Sequence, residues 1–331
     1  MRLKEVDYMR FYATISLVVW HCFVCPLTVW SDVSIEPNVA TSLVRSIAKY
    51  LIPIANMPLF TFIAGYVFIH IMQTTDKYDQ FKKFAWIKCK RLVIPFLTTG
   101  TLVCLTAPQR YLWMIPYGAG SHLWYCIMLF WICLVAWAVV KLDKWILTYV
   151  LFIGSMALVL LTNCSASELP QLPLGIRNSA FFYCYFYMGM LLYQYRNNRT
   201  IIWSVLGTVI LFFILSAKTI LGTAIPAVQL FHSFLYSPLL FMVLYVIAMM
   251  LGEYVKEWTF VQLVCNYSFG IYVFHEWISW CTYHYEPAYH LYIQAPFLFA
   301  SVFTVVVFGL SLLLTHYSLK TNIGKVLLGA I

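Results

Sequence analysis

The sequence predicts an all-α integral membrane protein, a single bundle of about ten transmembrane helices with both termini in the cytoplasm. Three observations lead to this fold class: the composition, the lengths of the apolar runs and the distribution of Lys and Arg. Of the 331 residues, 63% are hydrophobic and 10% are charged, whereas about a quarter are charged in an average soluble domain. So few polar groups cannot cover a protein surface in water, and lipid is the expected solvent.

Ten apolar runs have the length that a helix needs to cross a bilayer, about 17–25 residues. They lie at 10–30, 50–72, 90–108, 122–140, 144–162, 178–195, 200–217, 231–251, 262–280 and 294–317. The first run is not typical of a cleaved signal peptide, because it is long and no small-residue cleavage site follows. No linker composition and no internal repeat divides the runs, so we expect one domain over residues 1–331.

Lys and Arg are distributed unevenly between alternate loops. With the N-terminus inside, sixteen of the 21 fall on the cytoplasmic side. The five on the other side are Arg45, Lys49, Arg110, Arg177 and Lys218. Such a bias predicts cytoplasmic termini. The net charge of +9 then follows from topology and from attraction to anionic lipids, and nucleic-acid binding is not indicated.

The first run contains ionisable side chains, which are unfavourable in a membrane unless they are partnered or hydrated. Arg10 and His21 are eleven positions apart, which is about three helical turns and about 16 Å of axial rise. Both should project from one face, and Asp7 is placed to pair with Arg10 at i,i+3. These three residues are candidate functional groups. A snorkelling arginine and a hydrogen-bonded core histidine are the structural alternative.

A basic segment follows the second run and carries Lys82, Lys83, Lys88, Lys90 and Arg91. On a regular helix Lys88 and Arg91 share a face, so they are able to hold one phosphate group together. The segment is therefore either a cytosolic cradle for a polyanionic ligand or a membrane anchor on the positive side.

Other His and Glu residues that are candidates for a functional site lie in separate runs of the sequence. His122 and Trp124 lie at the outer start of the fourth run, and His275 and Glu276 lie within the ninth. The remaining candidates that we interpret as packing residues are His70, His232, His284 and His290. Most of the ten cysteines fall in apolar runs, where cysteine packs as a small apolar residue. No nucleotide-binding loop, HExxH or G-x-S-x-G motif occurs, and neither a metal nor a permanently bound cofactor is expected.

Five segments, spread over most of the chain, together resemble the conserved segments of one known family. They are VDYMRFYATISLVVWH (6–21), MPLFTFIAGYVF (57–68), KCKRLVIP (88–95), HLWY (122–125) and SFGIYVFH (268–275). Together, and in this order, they resemble the membrane acyltransferase-3 family, whose members acylate glycans. Ala64 stands where the family usually has Ser, and Lys88 stands where its R-x-x-R patch begins with Arg. The second segment is most similar to the fucose-4-O-acetylase-like branch.

The resemblance implies transfer of an acyl group, with acetyl the expected group, from cytosolic acyl-CoA to a hydroxyl of a cell-surface polysaccharide or its lipid-linked saccharide precursor. It implies that His21, Arg10 and Asp7 are catalytic, with His21 acting either as a general base or as the acyl carrier. The resemblance implies that the phosphates of CoA are bound by Lys88, Lys90 and Arg91. It implies that the acceptor is bound by His122, Trp124, Tyr272 and His275.

A secondary transporter of a polar solute or glycan precursor is the main alternative, because it would also place His and Arg within membrane helices. Against it, the chain has neither an inverted repeat nor matching pairs of broken spans. A lipid-binding or assembly protein without chemistry is a third interpretation. The topology and the resemblance together indicate a multi-pass protein of the bacterial inner (plasma) membrane, in contact with membrane lipids.

Overall fold

The computed structural model describes residues 3–24, 39–44, 56–106, 115–118, 121–162, 172–198, 207, 226–254, 258–283 and 285–330. All regular structure in these ranges is helical, which confirms the predicted all-α class. The helices are α1 (Lys4–Phe23), α2 (Asn56–Thr74), α3 (Phe81–Lys88), α4 (Ile94–Thr106), α5 (Trp124–Lys141), α6 (Trp145–Leu161), α7 (Ile176–Tyr195), α8 (Pro226–Tyr254), α9 (Thr259–Tyr283), α10 (Glu286–Gln294), α11 (Pro296–Ser318) and α12 (Asn322–Leu327). A π-helical segment, Cys89–Val93, joins α3 to α4.

Within the described ranges, three helices are long and apolar enough to cross a membrane. They are Met57–Thr74 in α2, Trp124–Lys141 in α5 and Pro296–Ser318 in α11. Shorter apolar stretches, Ile146–Leu161 and Ser237–Gly252, lie in α6 and α8. The predicted run 200–217 lies outside the described residues, apart from residue 207. Membrane crossing by the other helices, and the cytoplasmic location of both termini, stay predictions.

The chain divides into two compact units. The first comprises Met1–Met9, Met57–Val255 and Ile331, and the second comprises Arg10–Asn56 and Lys256–Ala330. Helix α1 therefore contributes its start to the first unit and its remainder, from Arg10 onward, to the second. The expectation of a single domain over 1–331 stays a prediction.

In the first unit, α2 and α7 pack with their backbones in direct contact. Gly65 of α2 lies against the backbone of Phe186, and Gly189 of α7 lies against the backbone of Phe62. A Cβ atom at either glycine would overlap the facing helix. Small residues permit such close approach of membrane helices, where dispersion contacts replace the hydrophobic effect as the driving force. This contact explains the glycine in the 57–68 segment.

In the second unit, α9 and α11 pack along their length. Gly270 lies directly against the side chain of Thr315. The buried apolar side chains around this contact include Val18, Cys22, Ile271, Tyr283 and Val307. Because Val18 and Cys22 belong to α1, the core holds the last turns of α1 against α9.

Candidate active site

His21 lies in the last turn of α1, and that turn is held by hydrogen bonds from two tyrosines. The hydroxyl of Tyr283 donates to the carbonyl oxygen of Cys22 at 2.7 Å, and the hydroxyl of Tyr292 donates to that of Phe23 at 3.3 Å. Terminal carbonyls of a helix have no partner within the helix, so these bonds satisfy two of them at the point where α1 ends. The His21 ring is thereby attached to a backbone with a defined end.

His275, on α9, faces His21. Its side chain is fully buried, and its ring meets the His21 ring edge to face, with centroids 4.6 Å apart. The Nδ1 atom of His275 lies 2.9 Å from the carbonyl oxygen of Ile271, four residues earlier in the same helix. Its Nε2 atom lies 3.3 Å from Nδ1 of His21.

These contacts assign the proton positions on both rings. His275 carries its proton on Nδ1, because only a donor there satisfies the Ile271 carbonyl; its Nε2 atom is then an acceptor. His21 Nδ1 lies 2.9 Å from the carbonyl oxygen of Leu17 and 3.3 Å from Nε2 of His275, and both of these atoms are acceptors. Nδ1 of His21 is therefore also a donor, and the neutral form of the ring accepts a proton at Nε2.

Glu276 lies beside that accepting atom. Its Oε2 atom is 3.5 Å from Nε2 of His21, and the two side chains are 11% and 14% exposed. A carboxylate at this position stabilises the imidazolium that forms when His21 takes a proton at Nε2. The carbonyl end of α1 adds partial negative charge in the same place. The arrangement suits a histidine that accepts a proton at one defined atom.

Arg10 and Asp7 lie on the same uninterrupted helix as His21, as the spacing predicts. The axial rise of about 16 Å between positions 10 and 21 leaves the Arg10 side chain out of contact with the His21 ring. Both Arg10 and Asp7 are half-buried. Their catalytic roles stay predictions.

Tyr272 lies one turn before Glu276 on α9. Its ring centroid is 6.2 Å from that of His275, and its side chain is buried. Of the four residues predicted on the acceptor side, Tyr272 and His275 are therefore neighbours in the second unit. The other two, His122 and Trp124, belong to the first unit, where His122 is buried and Trp124 packs on Phe182 with centroids 5.4 Å apart.

The predicted phosphate-binding residues lie in the first unit and occupy unlike environments. The Lys88 ammonium lies 5.2 Å from the ring centroid of Tyr78 and 5.7 Å from that of Phe84. Arg91 is exposed, and Lys90 is half-buried. Lys88 precedes the π-helical segment Cys89–Val93 and Arg91 lies inside it, so the two residues are not related as on the regular helix assumed from the spacing.

Lys77 joins this cationic group, although the sequence spacing does not indicate it. Burial, and then nearby positive charge, lowers the pKa of Lys77. The charges belong to Arg91, Lys88 and Lys83. We call Lys77, Lys83, Lys88 and Arg91 the cationic cluster.

The turn that carries Lys77 is held against α5. Trp137 Nε1 donates to the carbonyl oxygen of Tyr78 at 2.6 Å, and Lys141 pairs with Asp79 at 2.8 Å. Positive side chains that lie close enough to lower the pKa of Lys77 repel one another unless an anion lies between them. The cluster therefore favours an anionic ligand.

Three kinds of candidate functional residue have no signal in the sequence. Glu276 stands beside His275, but its contact with His21, 255 positions earlier, leaves no local signal. Nothing in the sequence separates Tyr283 and Tyr292 from the other tyrosines. Lys77 lies outside the basic segment and joins it only through the turn after α2.

Comparison with known proteins gives one family. The sequence model of that family, described as an acyltransferase domain, matches residues 3–316. Searches among curated proteins and among solved structures found no match.

Proposed function

The chain belongs to the acyltransferase-3 family and is an acyltransferase, and from this premise we propose which groups it transfers and how. The donor is a cytosolic acyl-CoA, with acetyl-CoA the first candidate. The acceptor is a hydroxyl of a cell-surface polysaccharide or of its lipid-linked saccharide precursor. The enzyme is a multi-pass protein of the bacterial inner membrane, with both termini in the cytoplasm. The family match gives no support to the transporter alternative.

The contact between His21 and Glu276 is the observation that carries this proposal. In the general-base form of the reaction, His21 Nε2 takes the proton of the acceptor hydroxyl as its oxygen attacks the thioester carbonyl carbon. The tetrahedral intermediate collapses with cleavage of the C–S bond. The proton on Nε2 then passes to the departing sulfur, so the products are the acyl ester and CoA thiol. Glu276 stabilises the imidazolium between these two proton transfers.

In the acyl-carrier form, Nε2 of His21 attacks the thioester carbonyl carbon, the C–S bond breaks, and CoA leaves as its thiolate while His21 holds the acyl group as an acyl-imidazole. The acceptor hydroxyl then attacks that carbonyl, the C–N bond breaks to release His21, and the hydroxyl proton is passed on to the CoA thiolate. His275 serves both forms because its Nε2 atom accepts a hydrogen bond from Nδ1–H of His21, which keeps Nε2 of His21 as the reacting atom. Trapping an acylated His21 by rapid quench and mass spectrometry distinguishes the two forms.

The cationic cluster supports binding of the donor. Coenzyme A carries three phosphate groups, and charge-assisted hydrogen bonds from Lys and Arg are the interactions that bind them most strongly. Arg91 is exposed and able to offer a bidentate contact, whereas Lys88 offers a single ammonium held over two rings. We assign the donor's phosphates to Arg91, Lys77 and Lys83, with Lys88 and Lys90 beside them.

The test uses purified protein in nanodiscs, incubated with acetyl-CoA and a cell-envelope glycan extract, with release of free CoA as the readout. We expect His21→Ala to lower extract-dependent release by about 10²-fold or more, the contribution of general acid–base catalysis. The matched control is His290→Ala. His290 is an exposed histidine that lies 3.6 Å from Glu286 on α10, and its loss should leave release unchanged. Near-normal turnover by folded His21→Ala would refute the proposal.

A further inference from the structure

His21, His275 and Glu276 also form a potential ligand set for a metal ion. Each offers one ligand atom, and these atoms all lie within 4.8 Å of one another. Two imidazoles and one carboxylate are a ligand combination used by zinc sites that keep a fourth position open. Within the described residues, no other group of three or more His, Cys, Asp or Glu residues has this proximity.

The spacing fits a tetrahedral ion. Ligand atoms at about 2.0–2.2 Å from Zn²⁺ are about 3.4 Å apart at the tetrahedral angle. The observed distance between His21 Nε2 and Glu276 Oε2 is 3.5 Å. His275 Nε2 lies 3.3 Å from Nδ1 of His21, and on metal binding it would exchange that contact for a bond to the ion.

The backbone around the site supplies the supporting contacts that metal-binding histidines require. Such histidines almost always donate their second N–H to a carbonyl or carboxylate, which fixes the tautomer and the ring orientation. Both histidines have this arrangement, with Nδ1 of His21 at 2.9 Å from Leu17 O and Nδ1 of His275 at 2.9 Å from Ile271 O. In each case Nε2 is thereby left as the ligand atom.

We propose that His21, His275 and Glu276 bind a divalent transition metal, with Zn²⁺ the best fit, and that the bound ion reversibly inhibits the enzyme. Imidazole ligands favour Zn²⁺ over Mg²⁺ or Ca²⁺, which prefer oxygen. Inhibition follows because the ion occupies Nε2 of His21, the atom that accepts the proton. Binding does not depend on the proposed function, whereas the inhibitory part rests on the role proposed there for His21.

The first experiment measures binding without using activity. Full-length protein in detergent is stripped with a chelator, dialysed against ZnCl₂ and analysed for metal content. We expect about one ion per chain, in line with one three-ligand site. His275→Ala and Glu276→Gln should each weaken Zn²⁺ affinity by at least about tenfold, the scale seen for loss of a supporting residue at metal sites. The controls His290→Ala and Glu286→Gln change an exposed His–Glu pair and should bind as the parent does.

If a variant is poorly folded, the absorption spectrum of Co²⁺ bound to the parent protein identifies the ligand types independently of the variants. Nitrogen and oxygen ligands give weak visible bands, while thiolate ligands add an intense near-ultraviolet band; a Cys281→Ser variant tests the exposed thiol. The proposal is overturned if the stripped protein takes up no Zn²⁺, if the four variants bind alike, or if the Co²⁺ spectrum shows thiolate ligation.

The second experiment adds Zn²⁺ to the CoA-release assay and then removes it with a chelator. We expect inhibition over the same concentration range as binding, and full recovery afterwards. Stoichiometric binding without inhibition would overturn the inhibitory part and would also count against His21 as the reacting base. Absence of CoA release before Zn²⁺ is added would instead be a failure of the proposed function, and the metal-content result would stand by itself.

Discussion

The hydroxyl of Tyr283 donates a 2.7 Å hydrogen bond to the carbonyl oxygen of Cys22, the residue that follows His21. A side chain at the end of α9 therefore satisfies a carbonyl in the last turn of α1. His275 and Glu276 lie on that same α9. One helix thus supplies the groups that contact the His21 ring and the group that positions its backbone.

Removal of this bond should affect turnover more than donor binding. Tyr283→Phe keeps the ring but leaves a buried carbonyl without its donor, which costs about 1–3 kcal/mol. We expect kcat to fall by about tenfold, because misplacement of a reacting group is strongly penalised, with KM for acyl-CoA unchanged. Steady-state kinetics of CoA release provides the measurement. Tyr285→Phe alters an exposed tyrosine two residues later and should behave as the parent; equal effects of the two changes would contradict the positioning role.

Neutralising Glu276 should slow the reaction without removing any packing volume. Glu276→Gln leaves the His21 imidazolium without its adjacent carboxylate, so we expect kcat/KM to fall by about 10²-fold, within the range of acid–base contributions. Glu276→Asp, which keeps the charge, should recover part of the loss. Glu286→Gln is the control, because Glu286 pairs with an exposed histidine. A Glu276→Gln enzyme with parental kcat/KM would exclude a role for this carboxylate.

The positive side chains of the cationic cluster should strengthen binding of the acyl-CoA donor. Replacing exposed Arg91 by Ala is expected to raise KM for acyl-CoA by about fivefold, equivalent to about 1 kcal/mol for an exposed ion pair, with little change in kcat. The effect should shrink at high salt because exposed charges are screened. Lys82→Ala is the matched control, since Lys82 is exposed but is not among the charges that act on Lys77. An identical KM for the two variants would remove Arg91 from the donor site.

Lys77 should show opposite effects on stability and on donor binding. Its pKa is lowered, first by burial and then by neighbouring cations. The unfolded chain therefore binds this proton more tightly, and the charged side chain lowers the stability of the folded state below its folded pKa. Lys77→Gln should raise Tm slightly at neutral pH while raising KM for acyl-CoA. The Tm difference should shrink as pH rises past the folded pKa. A lower Tm for Lys77→Gln would contradict the proposed repulsion.

The close glycine contact between α2 and α7 gives a prediction about the stability of the folded state and not about catalysis. Gly65→Ala places a methyl group against the backbone of Phe186, and backbone cannot move aside as a flexible side chain can. We expect destabilisation at the upper end of the 1–3 kcal/mol range typical of overpacking, about 3 kcal/mol. Gly154→Ala is the control, because a Cβ there meets nothing within 4 Å, and alanine is the better helix former. Thermal unfolding in one detergent compares the two.

Much of the helical framework follows from the sequence, because apolar run length and periodicity are local properties. The run 122–140 corresponds to α5 and the run 294–317 to α11, with ends displaced by only a few residues. The placement of Arg10 and His21 on one helix was likewise predictable from spacing. Contacts between distant segments were not, since nothing near His21 in the chain indicates that Glu276 will lie beside its Nε2 atom. The π-helical turn after Lys88 was equally hidden, because composition does not reveal a change of helical pitch.

The position of Lys88 over the rings of Tyr78 and Phe84 bears on the lysine that stands at the start of the R-x-x-R patch. A lysine ammonium is a compact charge on a flexible stem, whereas a guanidinium is planar and carries five donors in a rigid fork. Replacement of Lys88 by arginine is therefore not a conservative change here, although it keeps the charge. In the proposed donor site, the two cations of the patch have different tasks: Lys88 is held over two rings, and exposed Arg91 would meet the phosphates of the donor.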